Sequence, residues 1–264
     1  MIEKGIKISG LSPARLEAGG ALKDALEKFD WFYIGEEFCE NLLPAPAELK
    51  RTAAFFLEKG RKVCVLTPPV SERGIKNLKS AFRLLSRLDP DAVELTVNDF
   101  GALELARECG LRVKINAGRL LYGNLFMVRR STLRLINPQA LRFFTSRGIN
   151  RFELSATGER PRTDFGGAGS GELNLTLYYP YLNMTTTRTC LLGVPDIPPH
   201  ESAAGINCRR ECAVASFEVK HPLIKESLLV RGNTVFMRFP RKFYSSEKSL
   251  EAMRVNRLVY CPFP

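Results

Sequence analysis

Short apolar runs and longer amphipathic stretches alternate along the first 155 residues. Ile6 to Ser9 is a short apolar run, and Ser12-Pro13 supplies an N-cap and a first-turn proline for a helix to about Phe29. Trp31 to Ile34 is a dense run of β-formers closed by Gly35. Pro46 to Leu57 has helical apolar spacing and stops at Gly60, and Val63 to Leu66 is the next buried strand. Leu78, Ala81, Phe82 and Leu85 mark one face of a helix over 75–88. Ala92 to Val97 predicts a strand, Phe100 to Glu108 a helix, Arg112 to Ile115 a strand, a stretch from Asn137 to Gly148 a helix, and Arg151 to Leu154 the sixth strand.

Strands separated by helices at this spacing build βαβ units and a parallel sheet. About six units favour an α/β fold of the TIM-like (β/α) barrel type, complete or partial. After residue 155 the rhythm breaks into a glycine-rich run at 166–171, the alternating Leu173, Leu175 and Leu177, and short antiparallel-looking strands near 217–219, 228–231 and 234–239. No linker divides the chain, so the expectation is one domain over 1–264. Regular β/α units fill 1–155, and an irregular, β-containing C-terminal extension that carries the metal ligands fills 156–264.

In such a barrel, chemistry gathers at the carboxyl ends of the strands. Polar residues there are Glu36, Glu37 and Cys39 after the second strand, Asn98 and Asp99 after the fourth, and Asn116 after the fifth. Asp99 also reads as a helix cap and Asn98 as turn chemistry. Glu153 interrupts an apolar strand, and an inward carboxylate there needs a partner. Asn98, Asn116, Glu153 and Arg188 are the expected substrate rim; no residue is named as catalytic.

Cysteines carry the sharpest local signal. Cys190 is followed, after 17 residues, by Cys208-Arg209-Arg210-Glu211-Cys212. Sulfurs four residues apart can aim at one point from a helical turn. This spacing points to a metal site on Cys190, Cys208 and Cys212. Cys39 on the barrel rim is a possible fourth ligand, and iron–sulfur and zinc both remain open. Arg188, Arg209 and Arg210 would favour thiolates nearby. Cys64, Cys109 and Cys261 read as structural. The two histidines, His200 and His221, provide neither a zinc-peptidase helix nor a hydrolase triad.

Charge adds a direction. Residues 1–110 hold 16 Lys+Arg against 17 Asp+Glu, whereas 111–264 hold 23 against 11. A basic half of that size suits an acidic partner: RNA, or a small anionic ligand. The charged first ten residues lack a signal peptide's apolar run, and no stretch is long and apolar enough for a membrane span, which together predict a cytoplasmic protein.

Three segments together resemble peptidase family U32 (collagenase-like), nearest to its members in ubiquinone biosynthesis. They are the run Phe32 to Cys39, the turn Val97-Asn98-Asp99-Phe100-Gly101, and the cluster Arg188-x-Cys190 with Cys208-x-x-x-Cys212. The resemblance implies a β/α barrel with a [4Fe–4S] cluster on Cys39, Cys190, Cys208 and Cys212. It further implies oxygen-independent hydroxylation of a ubiquinone-type ring, a prephenate-type hydroxyl donor and a sister U32-type subunit. Relatives that hydroxylate bases of transfer or ribosomal RNA, and the peptidase activity in the family's name, are its alternatives. The 190–208 insert is longer than the resemblance leads one to expect.

Overall fold

A computed structural model describes residues 2–9, 12–121, 125–129, 132–135, 137–155, 162–164, 173–188, 190, 208–239, 246–252 and 254–263. The strands are β1 (Glu3–Lys7), β2 (Trp31–Gly35), β3 (Lys62–Thr67), β4 (Val93–Val97), β5 (Lys114–Ala117), β6 (Phe126–Arg129), β7 (Thr132–Leu135) and β8 (Arg151–Ser155). They continue with β9 (Arg162–Asp164), β10 (Asn174–Tyr179), β11 (Tyr181–Thr186), β12 (Phe217–His221), β13 (Ile224–Arg231), β14 (Thr234–Arg238) and β15 (Val255–Tyr260). The helices are α1 (Pro13–Ala18), α2 (Leu22–Lys28), α3 (Pro46–Glu58), α4 (Glu72–Leu85), α5 (Phe100–Glu108), α6 (Pro138–Thr145) and α7 (Glu247–Ala252).

Eight strands close a parallel barrel in the order β1-β15-β10-β8-β5-β4-β3-β2. The expected TIM-like barrel is therefore present and complete. Its last two strands, β10 and β15, come from beyond residue 155, so the C-terminal part is not only an extension but also closes the cylinder. Two smaller sheets accompany it: β11-β14-β13-β12, and β6-β7-β9.

Alternation along the strands sends one apolar set outward and turns Tyr33, Cys64, Leu66, Tyr178 and Val259 inward beside the polar groups. Outside, Phe32, Ile34, Val63, Val65, Leu95 and Val97 pack under the helices against Phe56, Leu78 and Phe82. The Phe32 and Phe56 rings stack at 4.1 Å. That outer layer is the main core, and it explains why the strands stand out as apolar runs.

Local chemistry shifts two predicted boundaries. Ser12 caps α1 by accepting from the Arg15 amide at 3.3 Å, and Pro13 occupies its first turn, as the sequence predicts. The helix then breaks at Gly19-Gly20, where Gly20 takes φ +69, so the stretch to Phe29 is two helices. Strand β5 starts two residues later than expected, because Asn116 and Ala117 pair with Thr96 and Val97. The glycine run at 166–171 and His200 lie outside the described residues.

Candidate metal centre

The barrel interior is built of two charged layers with a carboxyl group between them. At the amino end, Arg257 is fully buried. It donates to Glu3 (2.8 Å), to Tyr33 (2.9 Å) and twice to Glu94 (2.7 and 3.1 Å), with its guanidinium 3.7 Å above the Trp31 ring. Asn116 donates to the same Glu94 at 2.9 Å. Halfway up, Glu153 accepts from Thr96 (2.8 Å) and Tyr178 (2.7 Å). Burial, reinforced by the charge of Glu37, pushes its pKa up to about 8. At the carboxyl end Arg119 and Lys7 (3.2 Å) both hold Glu37. Burial opposes the Glu37 charge, but the two cations outweigh it and keep the carboxyl below its ordinary range.

Cys39 lies beside this carboxyl-end layer. Gly35 ends β2 at φ +91 and turns the chain across the rim, so that Glu36 caps the amides of Glu37 (2.9 Å) and Phe38 (3.2 Å) and Cys39 follows on the loop. Burial raises the Cys39 thiol to about 11. The Asn41 and Leu42 amides, which favour the thiolate, act against that rise, and the charges of Glu36 and Cys208 act with it. Cys212 sits in a short helical turn at Glu211–Ala213, with Arg210 before it in the left-handed region at φ 62. Its thiol is also raised, first by burial and then by the charges of Cys190 and Cys208. The Arg210 amide donates to the Cys208 sulfur at 3.4 Å. Thus Cys39 feels the charge of Cys208, and Cys212 those of Cys190 and Cys208, although Cys39 and Cys212 are 173 residues apart in sequence.

Four free thiols match a four-thiolate group in donor chemistry. A side chain at Gly232 would stand 3.3 Å from Cys212 Cβ and 3.4 Å from its sulfur, so the absence of one there leaves room beside that thiol. Among the described residues, no three His, Cys, Asp or Glu already stand at the spacing that holds a metal ion. The donor set fits in kind, and metal binding would have to draw the sulfurs together.

The predicted substrate rim is not one place. Asn98 is buried, donating to the Thr67 carbonyl (3.1 Å) and accepting from the Leu120 amide (2.9 Å). Asn116 and Glu153 meet Thr96 inside the barrel. Arg188 is exposed near Cys190. The Asp99 cap is as read, on the amides of Gly101 (2.5 Å) and Ala102 (3.2 Å). Of the cysteines read as structural, Cys64 is buried 3.2 Å from the Thr96 hydroxyl, Cys109 ends α5, and Cys261 is buried after β15.

What sequence reasoning missed is the cleft. A cavity of about 520 Å³ opens where β1 and β2 end, walled on the far side by the C-terminal sheet. Lys7, Ser9, Arg15, Cys39, Arg210 and Arg231 are among its lining residues. The Ser9 hydroxyl is buried with no hydrogen-bond partner among the described residues. Asn233 joins the cleft's two walls, donating to the Phe38 carbonyl on the barrel side (2.9 Å) and to the Thr187 carbonyl on the sheet side (2.7 Å). No motif announces these residues, because they come from four separate segments.

No protein-family model matches the chain, and no protein of curated function does either. Among solved structures, a glycoside hydrolase family 18 N-acetylglucosaminidase from Paenibacillus barengoltzii is similar over 98% of this chain and 94% of its own, at 12% identity and a TM-score of 0.39. At that score the likeness is no guide to activity. No described helix is long and apolar enough to cross a membrane.

Proposed function

We propose that this chain is an iron–sulfur protein that takes part in an oxygen-independent hydroxylation, in the manner of the U32-family ubiquinone-biosynthesis protein UbiV. The observation that supports this reading is that Cys39, at the carboxyl rim of a β/α barrel, lines the same cleft as Arg210, Ala213 and Gly232, the neighbours of Cys208 and Cys212. Those four thiolates would hold a [4Fe–4S] cluster, which when bound supplies one-electron transfer. Arg231 moderates the rise of the Cys212 thiol, so the protein's own cations offset part of the thiolate charge. Arg15, Arg210 and Arg231 outnumber Glu36 and Glu48 in the cleft lining, a balance that suits a small anionic or aromatic reactant such as a prephenate-type donor. A sister U32-type subunit would complete the system.

Of the predicted rim, only Arg188 remains available at the surface. Asn98, Asn116 and Glu153 have hydrogen-bond partners inside the barrel.

The test is purification of the chain without oxygen, followed by iron, sulfide and visible absorption. The expected result is about four irons and four sulfides per chain, lost when any of the four cysteines is replaced by serine and kept in Cys109→Ser. A colourless protein with zinc and no sulfide overturns the reading in favour of a structural zinc site. The basic half supports a second reading, a component that hydroxylates RNA bases. Binding to transfer RNA should then weaken steeply with salt, and a flat salt response ends that reading.

A further inference from the structure

The C-terminal sheet has one covered edge and one open edge. On the covered side β11 lies against the barrel, where the Ser155 hydroxyl donates to Asn183 at 2.5 Å. On the other side β12 pairs, among the described residues, only with β13, and all five of its residues, Phe217 to His221, are exposed. Apolar residues crowd this edge: Phe217 is 42% exposed, Val219 39%, Leu223 88% and Val214 93%. An open strand with exposed apolar residues is a template for pairing, which proteins normally block with like charges, proline or a bulge. Here the register irregularity falls between Val219 and His221 and is taken up by extra residues on β13, so β12 itself runs on regularly.

The charges on β12 do not block pairing; they select it. Glu218 and Lys220 lie two apart on one side of the strand, with Phe217, Val219 and His221 on the other. A parallel copy in register would set Glu218 against Glu218 and Lys220 against Lys220. An antiparallel copy related by a two-fold axis through Val219 sets Glu218 against the partner's Lys220, twice by symmetry, with Val219 facing itself. Opposite charges directly across a strand pair stabilise it and like charges oppose it. We infer that β12 is the self-association edge of this protein, pairing antiparallel with β12 of a second copy to make a sheet continuous across both chains. Five residues a side form a small contact, below the roughly 1,200 Å² of standard interfaces, so the dimer should dissociate on dilution.

Sedimentation of the full chain from micromolar to several hundred micromolar tests this, together with a charge exchange. The wild type should show a concentration-dependent monomer–dimer equilibrium. Glu218→Lys and Lys220→Glu should each weaken it about tenfold, since each creates two symmetric repulsions. The double variant Glu218→Lys/Lys220→Glu restores both pairs and should return the wild-type constant. A wild type that stays monomeric throughout overturns the inference. So does a dimer whose constant ignores the single reversals, because it must then use another face. All three variants lie on exposed positions, and circular dichroism confirms that each is folded.

Discussion

Arg119 closes a two-point ion pair on Glu37 across the carboxyl mouth of the barrel, Nε to Oε1 at 2.6 Å and Nη2 to Oε2 at 2.5 Å. Both side chains are almost wholly buried, at 3% and 0% exposure. Arg119 also donates to Ser155 at 3.0 Å and lies 4.3 Å from the Tyr178 ring, so one guanidinium ties the β2, β5, β8 and β10 ends together. Breaking one side of a buried pair leaves an uncompensated charge, which costs about 3–5 kcal/mol. Glu37→Gln should therefore lose about that much stability at pH 7 by urea unfolding. Because the folded pKa of Glu37 lies below its ordinary 4.5, the pair's contribution is present above that value and fades as pH falls through the lower folded one. The wild type should lose stability in acid more steeply than the variant, and parallel acid profiles would show that the pair contributes nothing.

Glu153 predicts the opposite slope. Its folded pKa of about 8 lies above the ordinary 4.5, so the folded protein holds a proton that the unfolded chain releases between those values. The stability this supplies is complete below about 4.5 and is lost as pH rises towards 8, by at most about 1.4 kcal/mol per pH unit. Glu153→Gln is neutral at every pH. It should match the wild type near pH 5 and exceed it at pH 9. Equal stability of the two proteins at pH 9 would place the carboxyl's titration elsewhere.

The fold was legible in the sequence where burial is local. Each early strand is an apolar run because one of its faces packs under helices, and Glu153 stood out because a charge interrupts such a run. Strand β10 was visible as an alternation of leucines, but alternation does not say which sheet a strand joins; only its pairing with β8 and β15 makes it a barrel strand. Spacing and resemblance single out the four cysteines as candidate ligands. Arg119 was not legible, because its partner Glu37, itself visible as a polar residue after the second strand, is 82 residues away. The cleft was hidden for the same reason: Ser9, Arg15, Cys39 and Arg231 meet only once the C-terminal sheet folds over the rim.

Gly35 is the hinge that sends the chain from β2 towards Cys39, and it has two reasons to be glycine. Its φ of +91 strains any other residue, and a Cβ there would lie 2.5 Å from the Leu66 carbonyl oxygen, a backbone atom that cannot swing away. Gly60 shares a positive φ of +69 but has nothing within 4 Å. Gly60→Ala should cost about 1–2 kcal/mol, the left-handed penalty alone. Gly35→Ala should cost about 2–5 kcal/mol, strain and overpacking combined. Thermal unfolding of the two variants side by side separates the clash from the strain; equal losses would mean that β3 gives way at no cost.

Asn233 is the fastening between the C-terminal sheet and the loop that carries Cys39. Its amide nitrogen serves the carbonyls of Phe38 and Thr187, while its oxygen accepts from the Thr234 hydroxyl at 3.2 Å. Leucine is close in volume and has no donor, so Asn233→Leu removes the partner of the buried Phe38 carbonyl, at about 1–3 kcal/mol, and one link to the more exposed Thr187. The loss should be local, because the barrel's own ladders are untouched. Hydrogen exchange should quicken at 38–42 and at 186–188 while the amides of β3 and β4 keep their protection. If the four thiols hold a cluster, the same variant should bleach faster in air than the wild type, with every sulfur still present. Exchange unchanged at 38–42 would mean that the sheet is held on the barrel by its apolar contacts alone, chiefly Phe236 on Phe38 at 5.3 Å, and that the bridging amide is incidental.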